Sequence, residues 1–140
     1  SGGELQVLLP QAAAVGQRLP AFCTSSGKAI LAYMPEESVR HILEHDLQQY
    51  TEFTRVTPEQ ILEDLRVCRE QGFAVSVQEY EDGINAVGAP VIGRKGTPIA
   101  SVSVAGPANR LTREKMLEIG PSVRATADEI SHEIGTALGG

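Results

Sequence analysis

The chain has 140 residues, 41% of them hydrophobic and 21% charged, with a formal net charge of −6. This is the size and composition of one globular domain able to bury its own core, and with aromatics at 4% and no Trp that core must be aliphatic. Twelve thinly spread basic residues on an acidic chain form no patch to displace the counterions of duplex DNA. No run approaches the roughly 18 apolar residues of a membrane span, no secretory leader is visible, and Cys23 and Cys68 define no disulfide framework, so a cytoplasmic setting is expected.

In chain order, Leu5, Val7 and Leu9 alternate with Gln6 and Leu8, which predicts a strand ending at Pro10. Residues 11–18 read as a connection. A first helix is expected from about Thr24 to Met34, with apolar residues all round (Ala29, Ile30, Leu31, Ala32) and hence buried. Pro35 begins a second, to about His45, with Val39, Ile42 and Leu43 as its apolar stripe. Thr57-Pro58-Glu59-Gln60 is a capping box with proline at the first helical position. The helix it starts places Ile61, Leu65 and Cys68 on one face and stops at Gly72.

Three strands follow. Phe73, Val75 and Val77 alternate with Ala74, Ser76 and Gln78; Asp82-Gly83 predicts a tight hairpin turn. Ile84, Ala86 and Gly88 then alternate with Asn85, Val87, Ala89 and Val91, and after a turn at Gly93–Gly96, Ala100, Val102 and Val104 alternate with Ile99, Ser101, Ser103 and Ala105. A last helix from about Thr112 repeats Met116, Val123, Ala127, Ile130 and Ile134 at near-helical spacing, with Pro121 expected to kink or restart it. The expected fold class is α+β: an antiparallel β-sheet with flanking helices, one of them the long C-terminal helix.

Alternation sorts the strand residues into two faces. One collects Val75, Val77, Val87, Val91, Val102 and Val104 and should pack under the last helix. The other collects Ala74, Ser76, Ala86, Gly88, Ser101, Ser103 and Ala105, all short. Interiors are filled to crystal-like density, so a cover over this face leaves room for long side chains or for a guest. The helix starting at Thr24 would bring unpaired N–H groups, the hydroxyls of Ser25 and Ser26, and a close approach at Gly27, where a carboxylate can sit without an Arg. The residues alone allow a second reading, in which Thr24, Ser25 and Ser26 simply cap a helix and the small face is close packing.

Other chemistry-bearing residues have ordinary readings. Cys23 stands at a helix start, where a thiol pKa can fall, but His41, His45 and His132 form no recognisable pairing with it. His41 and His45 face away from their helix's apolar stripe and lack further metal ligands. Glu79, Glu81 and Asp82 read as an acidic turn in water, and Glu129 and Glu133 as a solvated helix face. No metal or other cofactor is expected.

Four segments, in one order, carry a resemblance: LP-x-F-C-T-S-S-GKAILA (Leu19–Ala32), E-D-L-x-x-x-R-x-x-GFA (Glu63–Ala74), E-x-x-x-G-I-x-A-V-G-A-P-V (Glu79–Val91) and S-V-S-V-A-G-P-x-x-R-L (Ser101–Leu111). Together they resemble the effector-binding domain of the IclR family of bacterial transcriptional regulators, collinear from about Leu5 to Gly135. The resemblance implies a GAF-like or profilin-like sensor fold over residues 4–138. It also implies a winged helix-turn-helix DNA-binding domain, which nothing in this chain matches, so DNA contact would run only through that missing N-terminal part.

The resemblance further implies a homodimer or homotetramer, and a small-molecule effector pocket lined by the positions matching Leu19, Ser25, Ser26, Ser76, Ile84, Ala86, Ser103 and Ala105. Ser76 stands where some relatives carry an acid and Ala105 where many carry a serine. The expected function is a non-enzymatic sensor of a small organic or aromatic acid. Two alternatives stand beside it: a dimerisation module with a filled pocket, and an enzyme acting through Cys23.

Overall fold

The computed structural model describes residues 4–8 (main chain), 20–45 and 47–137. Among these, four strands, β1 (Glu4–Leu8), β2 (Ala74–Val77), β3 (Ile84–Ile92) and β4 (Pro98–Pro107), form one antiparallel sheet in the order β1-β4-β3-β2. Helices α1 (Ser25–Leu31), α2 (Glu36–Leu43) and α3 (Pro58–Gln71) and the long α4 (Arg113–Ala137) complete the described elements. The sheet carries the expected α+β arrangement.

Register confirms the two faces. Ala74, Gly88 and Ser103 stand opposite one another across β2, β3 and β4, as do Ser76, Ala86 and Ala105; Val75, Val87 and Val104 make the intervening row. Because cross-strand partners share a face, the short residues lie together on one side and the valines on the other. The valine side joins Phe73, Met116, Val123 and Ala127 in a core under α4. Asn85 also belongs to that side and is buried, its amide nitrogen donating to the Leu111 carbonyl at 2.9 Å. The short side lies under α1, whose Ala29 and Leu31 join Val39, Leu43, Ile61, Leu65, Cys68 and Ala74 in a second core.

Capping residues fix the helices. The Thr24 hydroxyl accepts from the Gly27 N–H at 3.1 Å, and the Thr57 hydroxyl from the Gln60 N–H at 3.3 Å. Gly72 ends α3 in the left-handed region (φ 93°), which glycine adopts without penalty. On α2, Val39 and Leu43 are buried as a pair four residues apart, whereas Ile42 points out and is exposed.

Three expectations are corrected. α1 stops at Leu31, short of Met34, because its last turn tightens at Tyr33 and Met34, whose N–H groups bond three residues back. α4 runs unbroken through Pro121. That proline is exposed, and the adjoining Gly120 presses so closely on the Phe73 ring that a Cβ there would sit 2.3 Å from it. Asp82-Gly83 does not close a two-residue hairpin: β2 ends at Val77, and residues 78–83 form a longer loop that starts with Gln78 at φ 52°.

The sheet's β2 margin is short. β2 pairs only with residues 85–88 of β3, so residues 89–92 lie beyond its end. Pro90 falls in that stretch, and the Ile92 N–H donates to the Ser131 hydroxyl of α4 at 2.8 Å. Nearby, the Arg124 guanidinium of α4 reaches the Tyr33 hydroxyl at 3.0 Å and the Gly72 carbonyl at 3.1 Å, joining the two helical layers.

Candidate functional site

Where α1 meets the short face, a cavity of about 230 Å³ opens, lined by Thr24, Ser25, Ser26, Ser76, Tyr80, Glu81, Ile84, Ala86, Ser103 and Ala105. Seven of the eight residues expected at a pocket stand together here; the eighth, Leu19, lies outside the described residues. Thr24, which reads as a cap, Glu81, which reads as part of an acidic turn, and Tyr80, for which the sequence offers no reading, complete the wall.

Not all of the short face is open. Gly88 lets α1 settle directly on β3, since a Cβ there would lie 2.9 Å from the Ser25 carbonyl oxygen. Ala74 and Ser101 are buried away from the cavity. Gly27 serves packing rather than ligand approach: a Cβ on it would lie 2.3 Å from Ala21 Cα. The space that remains lies toward Ile84, Ala86 and Ala105, where the floor is apolar and half-buried.

Hydroxyls crowd one end. Ser26 Oγ donates to Ser103 Oγ at 3.0 Å, which leaves the Ser103 proton to aim elsewhere. Ser76 Oγ donates to the Cys23 carbonyl at 3.0 Å. Ser25 is buried and stands in the cavity wall. With Thr24 holding the Gly27 N–H, the N–H groups of Ser25 and Ser26 have no acceptor within the helix. At the mouth, Tyr80 stacks edge-on against Tyr50 (5.1 Å between centroids), and Tyr50 stands 6.4 Å from Phe22.

Behind the wall lies an ion-pair cluster absent from the sequence expectations. Lys28 is 2% exposed. Its ammonium lies 2.7 Å from Glu79 Oε1 and 2.9 Å from Oε2, and 3.3 Å from both Asp64 Oδ2 and the Val75 carbonyl. Arg55 Nε donates to the same Asp64 oxygen at 2.8 Å. Glu79 is therefore no part of an acidic turn in water, whereas Glu81 and Asp82 are exposed. Burial pushes the Glu79 carboxyl above the usual carboxylate range, with Lys28 opposing the shift. The signal was present: a lone lysine inside an otherwise apolar helix requires a buried counter-ion.

Cys23 is fully buried, and burial together with the Glu79 charge pushes its thiol up to about 12. Cys68 is core, its thiol raised to about 11 by burial. His41, His45, Glu129 and Glu133 are exposed, and no cluster of three metal-ligating side chains occurs among the described residues. No described helix is long and apolar enough to cross a membrane. A larger groove of about 530 Å³ between α1, α2 and α3 is edged by Glu36, Arg40, Glu63 and Arg66, which pair with one another.

A sheet with one valine face under a long helix, and one small-residue face opening to a hydroxyl-lined cavity, defines a small-molecule sensor domain. The family described as bacterial transcriptional regulator IclR, C-terminal, matches residues 4–132. The chain belongs to this family, the effector-binding domain of transcriptional regulators. It is 35% identical over 133 residues to the HTH-type transcriptional repressor AllR of Escherichia coli K12, and 33% identical over 133 residues to AllR of Salmonella typhimurium. Each alignment takes in 94% of this chain and 49% of the repressor, so the chain spans about half the length of these curated relatives.

Among solved structures, Thermotoga maritima IclR superposes with a TM-score of 0.83 at 30% identity, covering 96% of this chain and 62% of that one. The inducer-binding domain of a double mutant of the Acinetobacter transcription factor PobR, in complex with 3-hydroxybenzoic acid, superposes with a TM-score of 0.78 at 26% identity, covering 93% of this chain and 87% of that one.

Proposed function

We propose that the chain is the sensor part of a cytoplasmic transcriptional regulator, and that the cavity between α1 and the short face takes a small organic or aromatic acid. The observation that carries this reading is the cavity itself, an apolar floor of Ile84, Ala86 and Ala105 ending in the hydroxyls of Ser25, Ser26 and Ser103. Its volume of about 230 Å³ lies below the roughly 300–1,000 Å³ that drug-sized ligands occupy, so the guest is small. The Ser25 hydroxyl and the free Ser103 proton supply donors for a carboxylate. The ring or chain of the acid would lie on the alanines beneath Tyr80.

Occupancy would act by favouring one arrangement of a homodimer or homotetramer over another, with DNA-binding domains outside this chain following. Family membership and the PobR complex support that reading. Against a filled dimerisation module stands the open space under Tyr80. Against an enzyme acting through Cys23 stands a buried thiol raised to about 12 and so protonated at neutral pH.

The test is a thermal melt titrated with a panel of acids that includes 3-hydroxybenzoate. A saturable rise in melting temperature is expected by mass action. Ala105→Leu and Ser103→Leu should remove the rise while the domain still melts cooperatively. A rise that survives both substitutions would place the guest elsewhere.

A further inference from the structure

The loop between β2 and β3 is held by more than a hairpin needs. A two-residue turn at Asp82-Gly83 would close these strands, yet the chain leaves β2 at Val77 and puts Gln78 into the left-handed region at φ 52°, a costly conformation for a residue with a side chain. Three tethers hold it there. The Glu79 carboxylate turns inward onto Lys28 and also accepts the Val77 N–H at 3.3 Å. The Thr51 hydroxyl donates to the Gln78 carbonyl at 2.6 Å, and the Thr54 hydroxyl to the Glu79 carbonyl at 2.6 Å. Tyr80 and Glu81, the next two residues, are cavity wall, whereas neither Lys28 nor Glu79 lines the cavity.

Stability alone does not require the pair. Burying two charges costs several kcal/mol before their attraction offsets it, and apolar replacements are often as stable. Asp64 already has Arg55. What the pair does supply is position: it runs from the middle of α1, whose first turn forms one end of the cavity, to the residue before Tyr80 at the other.

We infer that Lys28 and Glu79 are a positioning pair that fixes where Tyr80 and Glu81 stand, and so sets the width of the cavity and the acids it admits without touching them. The consequence for acids rests on the function proposed above; the placement of the wall is testable with no acid present. The experiment is hydrogen exchange on the whole chain carrying Lys28→Met together with Glu79→Gln. Removing both charges leaves none unpaired, so the melting temperature should stay near that of the parent.

The amides of Val77, Gln78, Gly83 and Ile84, all hydrogen-bonded within this loop, should exchange about tenfold faster or more, while those of α4 keep their parent rates. Loop exchange unchanged in the folded double variant would overturn the inference. Glu79→Gln alone, which preserves volume and leaves Lys28 its Asp64 and Val75 partners, serves if the double variant does not fold. Acceleration in α4 equal to that in the loop would then mark general destabilisation and also overturn it. In parallel, 3-hydroxybenzoate or another acid that binds the parent should bind the variant about tenfold more weakly. If no acid binds the parent, the proposed function fails, and the exchange data alone decide the role of the pair.

Discussion

The same three strands present a valine row to α4 and a row of alanine, serine and glycine to α1, and the two sides are finished differently. Under α4 the centre of the layer is filled by the protein: Val87, Val91, Val102 and Met116 are essentially inaccessible, and Gly120 packs on the Phe73 ring. Under α1 the helix meets the sheet where Gly88 faces the Ser25 carbonyl, Ser26 reaches Ser103 and Lys28 reaches the Val75 carbonyl, while an opening remains beside Ala86 and Ala105. Large residues on one face make that side a fixed foundation. Short residues on the other leave volume that the first turn of α1 and the loop carrying Tyr80 and Glu81 enclose. A sensor needs both, since a cavity keeps its shape only if the surface opposite it does not yield.

Substitutions on the two faces should therefore differ in size and in sign. The largest effect belongs to the filled side. Met116→Ala, fully buried under the sheet, should cost about 2–5 kcal/mol in chemical denaturation; a loss well under 1 kcal/mol would mean that this face is not the foundation. Next comes Gly27→Ala on the α1 side, where the new Cβ meets main-chain atoms of Ala21 that cannot simply rotate away, for a loss of about 1–3 kcal/mol.

The thiols report on the core on the α1 side, to which both belong. Cys23 and Cys68 are raised by burial from an ordinary 9.0 to about 12 and about 11, so above pH 9 the unfolded chain ionises thiols that the folded chain keeps protonated. Their contribution to stability is complete below pH 9 and is lost as the pH climbs toward 12. Denaturation midpoints followed from pH 8 to 11 should fall, and the fall should shrink when both cysteines are replaced by alanine or serine. A reversed sign comes from the open side: Ala86→Leu fills the cavity and should raise stability by about 0.5–2 kcal/mol while abolishing any acid-induced rise in melting temperature. Smallest of all, Arg66→Ala, which removes exposed pairs with Glu63 and Glu70, should leave the denaturation midpoint unchanged.

Strand alternation was enough to read the two faces from the sequence, because side chains two apart must share a side and the valines and short residues keep step through Val75–Val77, Val87–Val91 and Ala100–Ala105. Capping chemistry likewise located the start of α3 at Thr57-Pro58 and its stop at Gly72. What escaped was tertiary. Glu79 looked like a turn residue because its neighbours Glu81 and Asp82 are solvated; its partner Lys28 lies 51 positions earlier, and nothing local shows that separation closing. The tight turn expected at Asp82-Gly83 failed for the same reason: the ion pair and the Thr51 and Thr54 hydroxyls outweigh local turn preference. Pro121 was expected to break a helix, but a single missing N–H on the exposed side of α4 did not interrupt it. Seven of the cavity residues were anticipated through family resemblance joined to alternation, whereas Tyr80 and Glu81 depend on the loop geometry that neither supplies.

The margin of the sheet beyond β2 has a consequence for how copies of this domain meet. A bare strand edge invites another chain to extend the ladder. Here the invitation is withdrawn chemically: Pro90 has no amide proton, and that of Ile92 is already spent on Ser131. A second copy meeting this stretch of the margin would have to fit side-chain surfaces together, a mode that a shift of helices can loosen or tighten, rather than zip main chains into a seam that no small molecule could reopen.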